Sequence, residues 1–487
     1  MAIKYCDFKN GNDITGDGTN TNPFKTITRA CQGLYGGDEV RVAKSGGIKY
    51  ITGTITFTKN SYNITSSDDI FLNEISSGEN DGNVRLGDFI LGNDNNWHEV
   101  ILVNDSKNAK ILHRSGVSGN MVARKLLVTD TGKALTESYN VQKIEWGGDS
   151  PNNRLKISGG WDLATETQTG FTYFRQLDPD NFGNRYGIGL YSEDNLHIQI
   201  ERLGFLRYNI GIEFMVCFGF VLNNCYGYSN RMYGAEFFIC SDNKIYSSNF
   251  SGNGVEPSDD DGFGIALIGT SISLIKDTEC SNNYGHTGAG IAILYSSSQT
   301  KIINPKCNYN DNAGILSGGS IENVIINYQE SSNKGIVVIP VLGSERPAIK
   351  VQKYKISGDN RNYFENGMSK RDTTGAMSGE CLKYSPTSSD IYIAHSFFVK
   401  AKKSTSQTLS LYVKKDSSFD GDVKAGVYFL GEMITDWEDF TPTADYEYEK
   451  KEISINGSSI TEDGVIELVV KVRGENGNIY VDNLEVN

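Results

Sequence analysis

The most regular pattern along the chain is a glycine followed by a short apolar segment, which recurs between Tyr186 and Pro340. Seven such glycines are separated by 24, 23, 30, 26, 24 and 21 residues: Gly187, Gly211, Gly234, Gly264, Gly290, Gly314 and Gly335. A nearly constant period in this range indicates a repeat architecture, in which each repeat is one unit stacked on its neighbours.

Each repeat also contains a second strand signal, such as residues 219–223 (GFVLN), and a polar turn, such as residues 281–285 (SNNYG). At ~3.3 Å per strand residue, such a repeat supplies three short strands and three turns. One repeat therefore predicts one coil of a parallel β-helix, resting ~4.8 Å from the next coil. A leucine-rich repeat is the alternative, but its LxxLxLxxN pattern is missing.

Side chains alternate across a strand, so the residue after each glycine and the residue two positions further on should point inward. The first predicted ladder contains Ile188, Ile212, Ala235, Ile265, Ile291, Ile315 and Ile336, and the second contains Leu190, Phe214, Phe237, Leu267 and Ile293. We also predict that Cys225, Cys280 and Cys307 share an inward ladder.

The segment before the repeats predicts a strand and a short helix that covers the open end of the coils. Asn22 is its expected N-cap and Pro23 its first helical residue. Its apolar face would contain Phe24, Ile27, Ala30, Cys31 and Leu34. We assign residues 1–45 to this cap, 46–185 to irregular early coils with inserted loops, and 186–345 to regular coils.

After Pro347 the period disappears and alternating apolar strands follow, for example residues 409–414 (LSLYVK) and 466–472 (IELVVKV). Alternation of this kind is typical of antiparallel strands with one buried face. We therefore predict an antiparallel β-sandwich over residues 346–487.

Two segments resemble known families. Residues 11–19 (GNDITGDGT) and 23–27 (PFKTI) resemble the start of pectate-lyase-like parallel β-helix proteins, which include tailspikes and other virion surface proteins of tailed bacteriophages. Residues 396–401 (SFFVKA) and 477–486 (GNIYVDNLEV) resemble strands of carbohydrate-binding-module-like jelly rolls. Together these resemblances imply an all-β chain, with a right-handed parallel β-helix followed by a jelly-roll sandwich.

Composition narrows the expected partners. The chain has 46 Lys and Arg against 60 Asp and Glu, which gives a net charge of −14. It also lacks a basic stripe, so we do not expect nucleic acid as a partner. No apolar run reaches the ~18 residues of a membrane span, so we expect no membrane insertion. The first residues lack a secretory signal, which predicts synthesis in a cytoplasm. The eight cysteines contain no CxxC pair and are interpreted as small buried hydrophobes rather than a zinc site or disulfides.

The sharpest candidate for chemistry is Glu213 with Glu236, each two residues after its coil glycine. Both should point outward from neighbouring coils, ~5 Å apart, near the separation of the carboxylate pair of a retaining glycosidase. Repulsion would raise one pKa and so create an acid. The alternative is a solvated face, with the carboxylates turned toward water or toward Arg207 and Arg231.

A second candidate is the acidic loop in the longest repeat, which contains Asp259, Asp260 and Asp261. These carboxylates could hold Ca²⁺ or supply a hydrolase acid, although a solvated turn is the simpler interpretation. We predict no other cofactor and no transition-metal site. His286 stands alone in a turn and is interpreted as structural.

In the sandwich, Trp437, Tyr446 and Tyr448 are candidates for stacking on sugar rings. The alternative is that they pack the sandwich or an interface between copies of the chain.

The leading hypothesis is a structural surface protein of a bacteriophage virion, either a spike or fibre, or a capsid decoration. The resemblance implies a homotrimer made in the host cytoplasm that contacts capsid, adaptor or tail proteins and host surface polysaccharide. A tailspike-type glycan depolymerase and a bacterial surface adhesin remain alternatives. Lyase chemistry is disfavoured because neither an Asp ladder for Ca²⁺ nor a basic groove residue is evident.

Overall fold

The computed structural model describes residues 1–76, 81–132, 140–178, 183, 185–254, 262–285, 288–318, 320, 323–331, 336–339, 349–356, 364–365, 368–372, 381–385, 388–401, 403–429, 432–461 and 464–486. The chain forms two compact units, Met1–Ala292 with Pro305–Gly314, and Ile293–Asn304 with Ile315–Asn487. Each unit is described separately below.

The elements follow in chain order. The first part contains β1 (Ile3–Cys6), α1 (Ile27–Cys31), β2 (Glu39–Ala43), β3 (Gly47–Phe57), β4 (Asn63–Ser66), β5 (Phe71–Ile75), β6 (Val84–Leu86), β7 (Phe89–Leu91), β8 (Trp97–Asp105), β9 (Asn108–Ile111) and β10 (Gly119–Leu127). Next come β11 (Thr129–Gly132), β12 (Asn140–Ile144), β13 (Leu155–Asp162), β14 (Thr167–Gln168), β15 (Thr172–Gln176), β16 (Ile188–Glu193), β17 (Ile198–Glu201), β18 (Leu203–Leu206), β19 (Ile210–Met215), β20 (Val221–Asn223), β21 (Tyr226–Tyr228), β22 (Tyr233–Phe238), β23 (Lys244–Tyr246), β24 (Phe263–Ile268), β25 (Leu274–Lys276), β26 (Ala289–Leu294), β27 (Lys301–Ile303), β28 (Lys306–Asn308), β29 (Ala313–Gly318), β30 (Asn323–Ser331), β31 (Ile336–Ile339), β32 (Ile349–Ile356) and β33 (Phe364–Glu365). The last part contains β34 (Met368–Asp372), β35 (Cys381–Ser385), β36 (Ser388–Ala401), β37 (Gln407–Lys415), β38 (Asp422–Phe429), β39 (Glu432–Met433), β40 (Glu438–Asp439), β41 (Glu449–Ile455), a 3₁₀ turn (Gly457–Ser459), β42 (Gly464–Gly474) and β43 (Ile479–Val486).

The coils of the first unit build three parallel sheets. Their strand orders are β1-β2-β13-β17-β20-β23-β25, β11-β15-β18-β21 and β12-β16-β19-β22-β24. Neighbours in each sheet come from successive turns of the chain. The coils up to β21 contribute one strand to each sheet, and the next two coils continue the sheet of β21 through isolated bridges at Asn249 and Glu279. This arrangement is a parallel β-helix, and it confirms the fold predicted from the glycine period.

The inward ladders follow the predicted alternation from the second coil glycine onward. Ile212 pairs with Ala235 and Phe214 with Phe237 across neighbouring strands, and all four side chains are fully buried. The rings of Phe214 and Phe237 stack at 5.9 Å between centroids. Continuous apolar ladders of this kind form the core of the coils.

The prediction for the first repeat was wrong by two residues. Leu190 pairs with Ile212, whereas Ile188 pairs with Ile210 in an outward column. The first coil glycine is therefore Gly189, not Gly187. A methyl group on each coil glycine from 189 to 290 would lie 2.5–2.7 Å from the carbonyl oxygen of the next coil glycine, so the close approach of coils requires glycine there.

A buried ladder of asparagines was not predicted. Asn230, Asn253, Asn283 and Asn310 occupy one turn of four successive coils, and each is at most 2% exposed. The Nδ2 of each of the first three donates to the Oδ1 of the next asparagine at 3.0–3.1 Å. Backbone N–H groups of the same residues donate to the same oxygens, so this ladder satisfies polar groups in the interior.

The predicted cysteine ladder is partly wrong. Isolated parallel β-bridges join Asn249 to Tyr226 and to Glu279, and a further one joins Glu279 to Lys306. Cys280 follows Glu279 and Cys307 follows Lys306, so these two cysteines occupy equivalent positions. Cys225 lies two residues before the position on its own coil that is equivalent to Cys280. It is instead the counterpart of Ser248 on the next coil, whose Oγ accepts a hydrogen bond from the Cys225 N–H. The seven cysteines with described side chains are free, and all seven are buried, as predicted for small hydrophobes.

Residues 47–127 do not form irregular coils. Strands β10-β3-β4-β9-β8-β7 close into an antiparallel barrel between the first strands of the β-helix. Its own core contains Ile51, Ile55, Phe57, Ile64, Ile70, Phe71, Val84, Ile90, Val100, Val103, Ala109, Ile111 and Ala123. Local hairpins and coil strands share the same short alternating pattern, so the pattern alone does not distinguish them.

The barrel packs on the outer face of β15, β18 and β21. Phe89, Leu126 and Val128 pack there against Tyr173, Leu206 and Tyr228 in one buried apolar cluster. Beside this cluster, Glu99 of the barrel lies between two arginines of the coils.

Arg185 Nη2 contacts Glu99 at 2.8 Å, and Arg207 Nη1 contacts the other carboxylate oxygen. Burial acts to raise the pKa of Glu99, but the two arginines outweigh it and the net shift is downward. Burial lowers the pKa of Arg207 to about 9, against the opposing effect of Glu99. A buried ionic cluster therefore joins the barrel to the coils.

The cap helix is shorter than predicted. Thr26 is its N-cap, with its Oγ1 accepting from Arg29 N at 3.1 Å, so the assignment of Asn22 and Pro23 was wrong. Those residues instead belong to a loop in which Pro23 O accepts from Asn12 N. The predicted apolar face is nevertheless buried, and Ile27 N donates to Gln142 of β12 at 2.7 Å. The helix therefore covers the first coil.

In the second unit, β27, β30 and β32 pair in parallel, as do β29, β31 and β33. Two antiparallel sheets follow, β34-β35-β43-β37-β41 and β36-β42-β38-β39. Buried residues of both sheets form one apolar core that includes Leu411, Val427, Ile453 and Leu468. The predicted antiparallel sandwich is confirmed. No helix in the described ranges is long and apolar enough to cross a bilayer.

Candidate functional site

Glu213 and Glu236 are direct register partners on the neighbouring strands β19 and β22. Each lies between two buried inward residues, so the pleat directs both carboxylates to the outer face of the sheet. Neighbouring strands are ~4.8 Å apart. The predicted juxtaposition of these two side chains is therefore present.

The surroundings of the pair are less polar than expected for a solvated face. The same outer face carries a cluster formed by Ile188, Tyr191 and Ile210, with Met215 and Tyr233 packed against it. Burial, aided by the Glu193 carboxylate, raises the pKa of Glu213 to about 7. Burial and the charge of Glu213 raise the pKa of Glu236 to about 7. Both carboxyl groups of the pair therefore gain or lose their protons near neutral pH.

The expected arginine partners do not neutralise the pair. Arg207 is fully buried and contacts Glu99 of the barrel. Within the described part of the chain, neither Glu213 nor Glu236 forms an ion pair or a hydrogen bond. Two unpaired carboxyl groups that differ only slightly in environment can hold one proton between them. Such a pair can supply an acid and a nucleophile, as a retaining glycosidase requires.

Sequence reasoning missed two neighbours of the pair. Tyr191 is the register partner of Glu213 on the preceding coil, and its hydroxyl donates to Glu193 at 2.8 Å. Tyr191 lies two residues after Gly189, the same offset as Glu213 and Glu236. The offset would have identified Tyr191 if the first coil glycine had been placed correctly.

The other sequence-predicted acids lie outside the described residues. These are Asp259, Asp260 and Asp261, together with the isolated His286. Among the residues that are described, no cluster of three or more His, Cys, Asp or Glu has the arrangement of a metal site.

The three aromatic candidates of the sandwich do not form one surface. The Lys471 ammonium lies 4.0 Å from the ring centroid of Trp437, which covers a strand of one sheet at Gly426. Tyr448 directly precedes β41 of the other sheet, and Lys414 of β37 lies 4.6 Å from its ring centroid. Tyr446 is 66% exposed in the preceding loop.

Lysines therefore already cover the rings of Trp437 and Tyr448. A sugar could stack on those covered faces only after the lysine side chains move. The arrangement favours cation–π packing over a preformed sugar platform.

Comparison with known proteins agrees with the fold. Residues 178–329 match the family model described as "Right handed beta helix region", and the coils are a right-handed parallel β-helix. No curated protein sequence matches the chain.

Solved structures with some likeness include tailspike protein 2 of the Escherichia coli O157:H7 bacteriophage CAB120, at 10% identity and TM-score 0.30, covering 72% of this chain and 63% of that one. The Gp54 tailspike of Acinetobacter baumannii bacteriophage AP22, solved with a capsular saccharide, is 10% identical with TM-score 0.22, covering 90% and 86%. A family 16 carbohydrate-binding module is 16% identical with TM-score 0.19, covering 24% and 84%. Scores this low carry no argument about activity.

Proposed function

We propose that this chain is a surface protein of a bacteriophage particle, a rigid β-helix that faces the glycans of the host. The observation that carries the proposal is the ladder system of the coils. Apolar, glycine and asparagine ladders account for nearly all of the repeat, so the repeat serves stiffness rather than chemistry. The N-terminal resemblance to phage β-helix proteins supplies the biological setting.

The proposal includes assembly as a homotrimer and attachment to capsid, adaptor or tail proteins. Light scattering of the purified chain tests the trimer, with a mass three times that of the 53.6 kDa chain expected. Mass spectrometry of purified particles tests the location. A chain found only at the bacterial envelope, and not in particles, would support the adhesin instead.

A second function is favoured by one specific observation, the unpaired carboxyl pair with pKa values near 7. In this alternative the chain is a glycoside hydrolase of the depolymerase type, and Glu213 and Glu236 flank the scissile bond. Their separation, set by adjacent strands, favours the retaining mechanism.

The test is release of reducing ends from host capsule or lipopolysaccharide. Glu213→Gln and Glu236→Gln should each reduce the rate by at least a hundredfold if the pair acts on substrate. Glu193→Gln is the matched control: it keeps both acids but removes a nearby charge, so activity should persist with its pH profile displaced downward. Equal activity in all variants excludes this function and leaves the structural proposal standing.

A further inference from the structure

We infer that Cys217 and Cys240 form a modification site, where a small two-electron oxidant joins neighbouring coils through a disulfide. Phe218 and Ser241 bridge each other in parallel, so the cysteines that precede them are register partners on successive coils. Their Cα atoms are thus ~4.8 Å apart, inside the range of about 4.4–6.8 Å that disulfides span.

The two sulfur atoms lie on the same side of the coil wall. The Cys217 N–H donates to Cys240 Sγ at 3.4 Å. Cys217 Sγ lies 3.3 Å from the carbonyl oxygen of Met215, and Cys240 Sγ lies 3.4 Å from that of Phe238, so the thiols have equivalent orientations. Rotation about each Cα–Cβ bond, together with a small approach of the two coil turns, would bring the sulfurs to bonding distance.

The pair also lies close to solvent, although both side chains are at most 2% exposed. The preceding residues, Val216 and Ile239, are 46% and 53% exposed and have positive φ angles. The cysteines are therefore one residue inside an exposed turn. Local opening of that turn would admit a molecule as small as hydrogen peroxide.

Cys217 is the expected attacking group. A hydrogen bond with Cys240 lowers the pKa of Cys217, whereas the pKa of Cys240 is raised. The Cys217 thiolate attacks one peroxide oxygen, forming an S–O bond as the O–O bond breaks and water leaves. The Cys240 thiol then attacks the sulfenic sulfur, forming the S–S bond as the S–O bond breaks, and its proton leaves with the displaced hydroxide as a second water. Two thiols are oxidised and one peroxide is reduced.

Cys280 and Cys307 provide an internal comparison, because they too are equivalent on successive coils. The residues that precede them, Glu279 and Lys306, form a parallel β-bridge, and the N–H of Asn308 donates to Ser281 Oγ at 3.1 Å on their other side. We expect this second pair to react more slowly. The chemistry does not depend on the proposed function, although a chain displayed outside a cell would meet oxidants after leaving a reducing cytoplasm.

The test uses the full chain, purified with reductant, exposed to hydrogen peroxide and then unfolded in an alkylating agent. Trypsin cleavage after Arg207, Arg231 and Lys244 separates Cys217 from Cys240. A Cys225→Ser background leaves one cysteine in each of these two peptides. The expected result is a cross-linked peptide pair lighter by two hydrogen atoms, which dithiothreitol separates.

Cys240→Ser should abolish the cross-link and leave a sulfenic acid on Cys217 that dimedone traps, which shows reactivity in a folded variant. The Cys280→Ser, Cys307→Ser double variant should keep the cross-link. The inference fails if Cys217 and Cys240 are still reduced, and are therefore fully alkylated on unfolding, after peroxide exposures that oxidise exposed methionines. It also fails if Cys280 and Cys307 cross-link first.

Discussion

The coils and the inserted barrel of the first unit are both built from short strands, yet their interiors are stabilised in different ways. The coils repeat the same contact at each level, as in the asparagine ladder from Asn230 to Asn310. The barrel has a non-repeating core and is joined to the coils by an apolar cluster and by buried ionic contacts, which include those of Glu99 with two arginines and that of Asp88 with Arg175. Damage to the coils should therefore be shared among levels, whereas damage at Glu99 should be concentrated at one interface.

The largest expected effect is that of Arg207→Met. It leaves Glu99 buried with one cation fewer, which should cost about 3–5 kcal/mol of unfolding free energy. Hydrogen exchange should accelerate in β8 and β10 more than in β19 and β22. Arg473→Met, which removes a partly exposed partner of Asp422, is the control and should cost less than about 1 kcal/mol. Equal acceleration of hydrogen exchange in the barrel and the coils would contradict the prediction that the damage stays at the interface around Glu99.

Asn253→Ala tests the ladder. Its Oδ1 accepts from both the N–H and the side chain of Asn230. The side chain would keep its hydrogen bond to Phe205 O, whereas the N–H would lose its acceptor in the interior. The expected loss is about 2–3 kcal/mol in denaturant unfolding. Asn223→Ala, on the outward side of β20, should change stability by less than about 0.5 kcal/mol. A ladder variant as mild as this control would show that water replaces the missing amide.

The third prediction concerns pH and the carboxyl pair on the outer face. Folding raises the pKa of Glu213 and Glu236 from 4.5 to about 7, so the folded state binds more protons between these values. Their contribution is present below pH about 4.5 and is lost as pH rises through about 7. The Glu213→Gln, Glu236→Gln double variant should remove this loss.

At pH 8 the double variant should exceed the native chain in stability by about 1–3 kcal/mol, a range that allows for partial solvent screening. Thermal unfolding across pH 4–8 measures it. An exposed control, Glu447→Gln, should leave the pH dependence unchanged. Parallel curves for the native chain and the double variant would show that the pair titrates normally.

The smallest expected effect belongs to the partly exposed ion pairs of the coils. Lys244 and Asp242 are 3.1 Å apart, with side chains 34% and 25% exposed. Lys244→Ala should cost less than about 1 kcal/mol, and added salt should erase the difference. A larger loss of unfolding free energy that persists in salt would contradict the expected difference between this ion pair and the buried ionic contacts of Glu99.

The coil register was predictable because glycine is required wherever one coil approaches the next, as between Gly211 and Gly234. The same rule located Glu213 and Glu236 without a structure. It failed at Gly187, since a second glycine two residues later satisfied the same pattern, and Tyr191 was missed as a result.

The barrel and its ionic cluster could not be inferred in the same way. Glu99 and Arg207 are separated by more than a hundred residues and belong to no repeat. Only the fold brings them together. The cysteine ladder failed because the offsets of its members from their coil glycines were treated as equivalent. Tyr226 and Glu279 occupy the same position, each 15 residues after its glycine, so Cys225 precedes that position and Cys280 follows it.

The barrel begins and ends at one place, because Gly47 and Leu127 are register partners of β3 and β10. Topologically the whole insertion is therefore a hairpin with an enlarged tip. A designer could exchange it for a different domain with equally close ends, and the coils beneath would keep their strand order. The replacement would have to supply its own apolar cover for Tyr173, Leu206 and Tyr228, together with an anion between Arg185 and Arg207. With those conditions met, this position of the coils would accept other inserted domains in place of the barrel.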